Sequence, residues 1–267
     1  MRTTPRRFPV TALLVMMCLP ALSLAGGPPP AGMLRIPASR YTPLFKSDGA
    51  RDVPAFYLDE IPVTNDAFLD FVRANPDWRR SHVKRLFADK TYLRHWKDDL
   101  DLGPNAALLT NSPVTHVSWF AATAYARWQN KRLPTLAEWE VTAGAGLTNA
   151  VGNDDPSFNQ RILDWYSHPQ RPIIPPVRST AINAFGIWDM HGLVWEWVWD
   201  FNTALVTGES RADSGLDRQQ YCGGGSINAS DFQNYAGFMR EAFRSSLQAD
   251  FTVANLGFRC AKDVEPE

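Results

Sequence analysis

The sequence predicts an α+β domain poor in regular structure, and three observations carry that expectation. Apolar residues alternate over one short extended segment, Val53–Asp59. Side chains of the N-capping type, Thr64, Ser118 and Thr135, each stand immediately before a stretch with helical periodicity. Between and beyond these pieces run long stretches with no period, dense in Pro, Gly, Asn and Asp.

Taken in order, Arg2, Arg6 and Arg7 precede an apolar run from Val10 to Leu24 that closes on Ser23-Leu-Ala25. This is the layout of a signal peptide cut after Ala25, removing residues 1–25 and Cys18 with them. The run is short for a membrane span and is broken by Pro20, so an uncleaved anchor is the weaker reading. Arg6-Arg7 does not extend into a full twin-arginine pattern, which leaves the export route open. Residues 26–32 form a Pro/Gly-rich link, and 33–263 are expected to be one domain.

Within that domain Val53–Asp59 reads as a strand. Thr64 caps a helix carrying Phe68, Phe71 and Val72, which ends before Pro76. Trp78 to Trp96 shows no sustained period and is expected to be irregular, with at most a short helix. Asn111–Val117 is extended, and Ser118 starts a helix whose Phe120, Ala121, Ala124, Tyr125 and Trp128 are expected to line one face, with Lys131 and Arg132 suited to its C-terminal end. Thr135-Leu-Ala-Glu138 is a capping box for a third helix stopping near Gly144. From Gly152 to Pro176 turn residues dominate, so loop is expected there.

The formal net charge is −1, so no long-range field draws this chain to nucleic acid or anionic lipid. Four of the ten tryptophans fall in Asn183-Ala-Phe-Gly-Ile-Trp-Asp-Met-His-Gly-Leu-Val-Trp-Glu-Trp-Val-Trp-Asp200, together with Asp189, Glu196 and Asp200. Each indole has a large apolar area and one N–H that needs a partner when buried, which implies a tightly packed platform threaded with polar groups. Asp189 beside a bend, with Gly192 permitting an unusual backbone angle, suits either a Ca²⁺ cage of oxygens or a turn cap. Glu196, between Trp195 and Trp197, is expected to pair with Arg132, Arg244 or Arg259, because an unpaired buried carboxylate is costly. None of His82, His95, His116, His168 and His191 forms an H-x-x-x-H pair, and His191 alone lies within the tryptophan segment as an acid–base candidate.

That segment, Lys131-Arg-Leu-Pro-Thr-Leu-Ala-Glu-Trp-Glu140, Gly223-Gly-Gly-Ser226 and Asn255-Leu-Gly-Phe-Arg-Cys260 together resemble the formylglycine-generating (sulfatase-modifying factor) domain family, in that family's order. The resemblance runs from Met33 to Asp263 and implies a fold related to C-type lectins, with a surface groove. It implies a structural calcium held by the Asp189 side chain and the main-chain oxygens of Met190, Gly192 and Val194. It also implies that Trp195 and Ser226 flank the active site.

The family's two copper-binding cysteines follow that serine by three and eight positions, where this chain has Ala229 and Asn234. Neither side chain supplies the soft thiolate that Cu(I) takes, so formylglycine formation is the least favoured function. Cys222 and Cys260, the cysteines left after cleavage, form either a disulfide or a two-thiolate copper site, with the disulfide expected in an oxidising compartment. No ligand motif supports copper or iron, and the three-histidine domain of the family's nonheme iron relatives has no counterpart in this sequence. The functional expectation is an exported oxidoreductase or maturation factor, periplasmic or secreted, acting on a peptide, a small molecule or a partner enzyme. The alternative is a lectin-like module that binds a peptide, glycan or partner protein without catalysis.

Overall fold

The computed structural model describes residues 29–43, 49–152, 156–169, 171–202 and 232–265. Three short strands open and close the domain as one antiparallel sheet: β1 (Met33–Ile36), β4 (Phe56–Asp59) and β7 (Ala261–Asp263), in the order β1-β4-β7. Met33 pairs with Asp59 and Leu58 with Ala261, so the C-terminal strand returns beside the N-terminal pair. β2 (Ser39–Tyr41) and β3 (Arg51–Val53) form a separate antiparallel pair. The single strand expected over Val53–Asp59 is therefore two, parted at Pro54, which has no N–H to give a ladder. Central β4 is buried along its whole length.

α1 (Asn65–Ala74) begins as expected, with the Thr64 hydroxyl accepting from Ala67 N at 3.3 Å, and stops at Asn75 before Pro76. Trp78 to Trp96 is mostly turns beyond a 3₁₀ turn at Pro76–Trp78. After a one-turn α2 (Ala106–Leu109), Ser118 caps α3 (Trp119–Trp128) through Ala121 N at 3.1 Å. Its buried residues are Ala121, Ala122, Thr123, Tyr125 and Ala126, a face rotated from the expected one. Phe120 and Ala124 are partly buried and Trp128 is 40% exposed, because small residues let α3 sit close to the core, with Tyr125 inside it, while Phe120 and Trp128 pack along the rim. Lys131 and Arg132 do more than complement a helix end. Lys131 Nζ meets Asp59 at 2.6 Å, and Arg132 clamps Glu138 with two bonds of 2.7 Å.

The capping box of α4 (Leu136–Ala143) is complete, with Thr135 and Glu138 each bonding the other's backbone N–H. Asp200 adds a bond to Leu136 N at 2.6 Å, tying the tryptophan segment to the same helix end. Two helices had no counterpart in the expected organisation. α5 (Pro156–Ser167) lies within the stretch expected to be loop, and α6 (Phe232–Ser245) follows the glycine-rich run. Both are amphipathic, and they pack on each other through Phe158, Ile162 and Ala236. The parallel pair β5 (Trp195–Glu196) and β6 (Leu256–Gly257) joins the tryptophan segment to the C-terminal block. Gly257 is required there, since a Cβ would meet Val114 O at 2.5 Å. Among the described residues no helix is long and apolar enough to cross a membrane.

The core is ring-rich: Phe68 stacks on Tyr125 at 5.7 Å and meets Phe258 edge-on at 6.1 Å.

Candidate functional site

The tryptophan segment is braced from beneath by one buried ion pair. Arg259 and Glu196 are both fully buried, with Arg259 Nη2 donating to Oε1 at 2.8 Å and Nε donating to Oε2 at 2.8 Å. Trp139 Nε1 adds a donor to Oε2 at 2.7 Å, and Arg259 also reaches the carbonyls of Asp59 and Trp188. Of the three arginines expected as partners, Arg259 is the one used. Arg132 serves Glu138 and Asp263, whereas Arg244 joins Arg240 on Glu140. Burial alone would raise the Glu140 pKa, but the charges of Arg240 and Arg244 outweigh it and hold the carboxyl at about 2.

Asp189 is buried and has positive φ (58°). Its Oδ1 accepts from Thr180 N at 2.9 Å and Thr180 Oγ1 at 2.7 Å, and its Oδ2 accepts from Arg178 N. The neighbouring Gly192, at φ 109°, admits no side chain because a Cβ would meet Thr180 Cγ2 at 2.7 Å. Three donors aimed at one carboxylate put the positive ends of N–H and O–H dipoles where a cation would sit. This donor set fits a turn cap rather than a calcium ligand. Met190 and Val194 are buried beside it, so the loop expected to hold calcium is packed around the Asp189 corner.

His191 is turned into the protein rather than toward solvent chemistry. Its Nε2 donates to Ala143 O at 3.0 Å, and its ring stands edge-on to Trp139 at 5.8 Å and Phe158 at 6.0 Å. Burial, with help from the Arg240 charge, pushes the imidazole down to about 3, which removes it as a proton donor near neutral pH. It borders a cavity of about 280 Å³ whose walls include Phe158, Ile162, Thr180 and Met190.

Trp195 is enclosed on both faces. Tyr166 of α5 stacks on it at 4.9 Å and 20°, Phe243 of α6 at 4.5 Å and 29°, and Trp165 lies at 5.4 Å. The rings that fill this place come from the two unforeseen helices. A sequence signal for them existed: Phe158, Ile162 and Tyr166 repeat at helical spacing, as do Ala236, Arg240 and Phe243.

Cys260 is a fully buried thiol, its backbone N–H bonded to Asp59 Oδ2 at 2.9 Å. Burial, and next the Asp59 carboxylate, push the thiol pKa well up. Ser226, Cys222 and Ala229 lie outside the described residues, and with them the expected disulfide; Asn234 falls on α6.

With this geometry in view, the chain matches the sulfatase-modifying factor enzyme 1-like domain over residues 24–264. It belongs to that family. The sulfatase-modifying factor family is also the one seen in its relatives. The chain is 33% identical over 249 residues to a formylglycine-generating enzyme of Streptomyces coelicolor, covering 79% of each chain. It is 30% identical to the formylglycine-generating enzyme of Bos taurus, over 91% of this chain and 78% of that one. A Mus musculus relative, inactive C-alpha-formylglycine-generating enzyme 2, is 28% identical over 96% of this chain and 93% of its own. Among solved structures, Treponema denticola variable protein 1 superposes with a TM-score of 0.49 at 17% identity, covering 86% of this chain and 94% of that one. The α+β architecture with little regular structure is the one expected of a formylglycine-generating-enzyme-like domain.

Proposed function

We propose that this protein is an exported maturation or accessory factor that engages a partner polypeptide or metabolite without the copper bis-thiolate chemistry of its formylglycine-generating relatives. The observation that carries this reading is a deficit of thiolate. By the resemblance, Ala229 and Asn234 stand at the two positions where the family has its copper-binding cysteines, and Cys260 is buried with its thiol pKa raised, so it is a poor source of the anion that binds Cu(I). An oxidoreductase form of the reading would need a reactive group from the ligand or from another metal. A second reading, a binding module without catalysis, is favoured by Trp195, whose two faces are already occupied by Tyr166 and Phe243. Periplasmic or secreted placement rests on the Arg2 to Ala25 leader pattern.

The test is to load the protein with Cu(I) and offer a sulfatase-type Cys peptide under oxygen. The expected result is unchanged peptide mass and no oxygen uptake. Stoichiometric copper with formylglycine in the peptide would overturn the proposal.

A further inference from the structure

A second cavity, of about 330 Å³, opens away from the tryptophan segment, and its walls include Asn65, Thr115 and two histidines, His95 and His116. The two rings lie 5.4 Å apart, centroid to centroid. The hydrogen bonds behind them settle both tautomers. Asn65 Nδ2 points at the carbonyls of Leu109, Ser112 and Pro113, so Asn65 Oδ1 is the acceptor for Trp96 Nε1 at 2.8 Å and for His95 Nε2 at 2.9 Å. His95 Nε2 must therefore carry the proton, which leaves Nδ1 as a bare lone pair. That Nδ1 is buried and has no hydrogen-bond partner. His116 Nδ1 lies 3.2 Å from Thr252 O, an acceptor only, so it carries the proton and Nε2 is the bare nitrogen. No hydrogen bond to His116 Nε2 is made among the described residues.

The backbone around the pair is held in a costly shape. His116 has φ 53° and Leu93 has φ 47°, both in the left-handed region that a residue with a Cβ seldom adopts. They are joined directly, Leu93 N donating to His116 O at 2.9 Å, while His116 N donates to Val253 O at 3.0 Å. Two strained residues fastened together beside two imidazoles is the placement expected where structure is given up for a site.

We propose that His95 Nδ1 and His116 Nε2 are two ligands of a borderline transition-metal ion, of which zinc(II) is the representative. Metal-bound histidines donate their other ring N–H to a carbonyl or carboxylate, and both rings here do so before any ion arrives. With each nitrogen at about 2.0–2.1 Å from zinc, two imidazoles hold their centroids within roughly 6 Å, which the observed spacing satisfies. Two protein ligands leave coordination positions open toward the cavity, whose rim carries the exposed Arg171, so a neutral or anionic donor would complete the shell. Two protein ligands are fewer than the four of a closed structural zinc site, so the rest of the shell has to come from exogenous donors.

The test uses the full chain without a polyhistidine tag. Zinc titrated by calorimetry should bind at one equivalent, and His95→Gln and His116→Asn should each weaken binding at least tenfold, since even outer partners of a ligand are worth roughly 10–100-fold. Asn tolerates positive φ, so His116→Asn keeps the backbone. His191→Gln should bind as the parent does. Should either variant fail to fold, nitrogen-15 spectra of the unmutated protein decide, with zinc expected to shift His95 Nδ1 and His116 Nε2. Cobalt(II) should give ligand-field absorption without thiolate charge transfer. Equal affinity in both variants, unshifted histidine nitrogens, or a thiolate band would each overturn the proposal.

Discussion

Glu196→Gln isolates the buried charge beneath the tryptophan segment. Three donors, Arg259 Nε, Arg259 Nη2 and Trp139 Nε1, converge on two carboxylate oxygens, and both charged side chains are fully buried. Glutamine keeps the shape but removes the negative charge and turns one acceptor into a donor facing donors. Breaking one side of such a pair costs about 3–5 kcal/mol, because a buried guanidinium is left uncompensated. In a domain of this size 1 kcal/mol moves Tm by about 2–4 °C, so the melt should fall by about 6–20 °C. Circular dichroism melts at neutral pH measure it. The double variant Glu196→Gln, Arg259→Met should recover much of the loss, because the orphan charge has gone with its partner. A single variant melting within about 2 °C of the parent would refute the argument that this pair braces the core.

Asp189→Ala leaves three donors facing a void and should cost about 1–3 kcal/mol, while added Ca²⁺ or chelator leaves the parent melt unchanged; a calcium-dependent rise in Tm would restore the ion-binding reading of this loop. For pH, His191 is held at about 3 in the fold against 6.5 in the unfolded chain, so between those values the unfolded chain takes up a proton that the folded one refuses. Stability should fall as pH drops below 6.5, by up to about 1.4 kcal/mol per pH unit from this residue, and urea melts of His191→Leu should show a shallower slope. Glu140, held at about 2 against 4.5, contributes stability that is full above 4.5 and is lost as pH falls toward 2, so Glu140→Gln should flatten the acid end of the curve. Intact mass of the exported protein should place its N-terminus at Gly26, and a membrane-bound product retaining Met1 would count against export as a soluble protein.

Elements whose cause is local were legible in the sequence. Thr64, Ser118 and the Thr135–Glu138 box each act within three or four residues, and all three cap as the pattern implied. The Glu196 pairing was legible as a requirement, yet choosing Arg259 over Arg244 depends on β5 lying beside β6, which no local pattern encodes. α5 and α6 were missed because Pro156 and the glycine-rich run read as punctuation, while their apolar faces matter only once they meet each other and Trp195. The histidine pair was hidden for the same reason. His95 and His116 are 21 positions apart and share a cavity only through Asn65 and Thr252.

The enclosure of Trp195 gives the molecule an optical handle. Its indole lies between a phenol from one helix and a phenyl from another, at 4.9 and 4.5 Å, so its emission depends on both helices being seated. Any partner that lifts either one exposes the ring to solvent and shifts its fluorescence to the red. Difference spectra against Trp195→Phe would isolate that signal from the other nine tryptophans and report docking in real time, with no label attached.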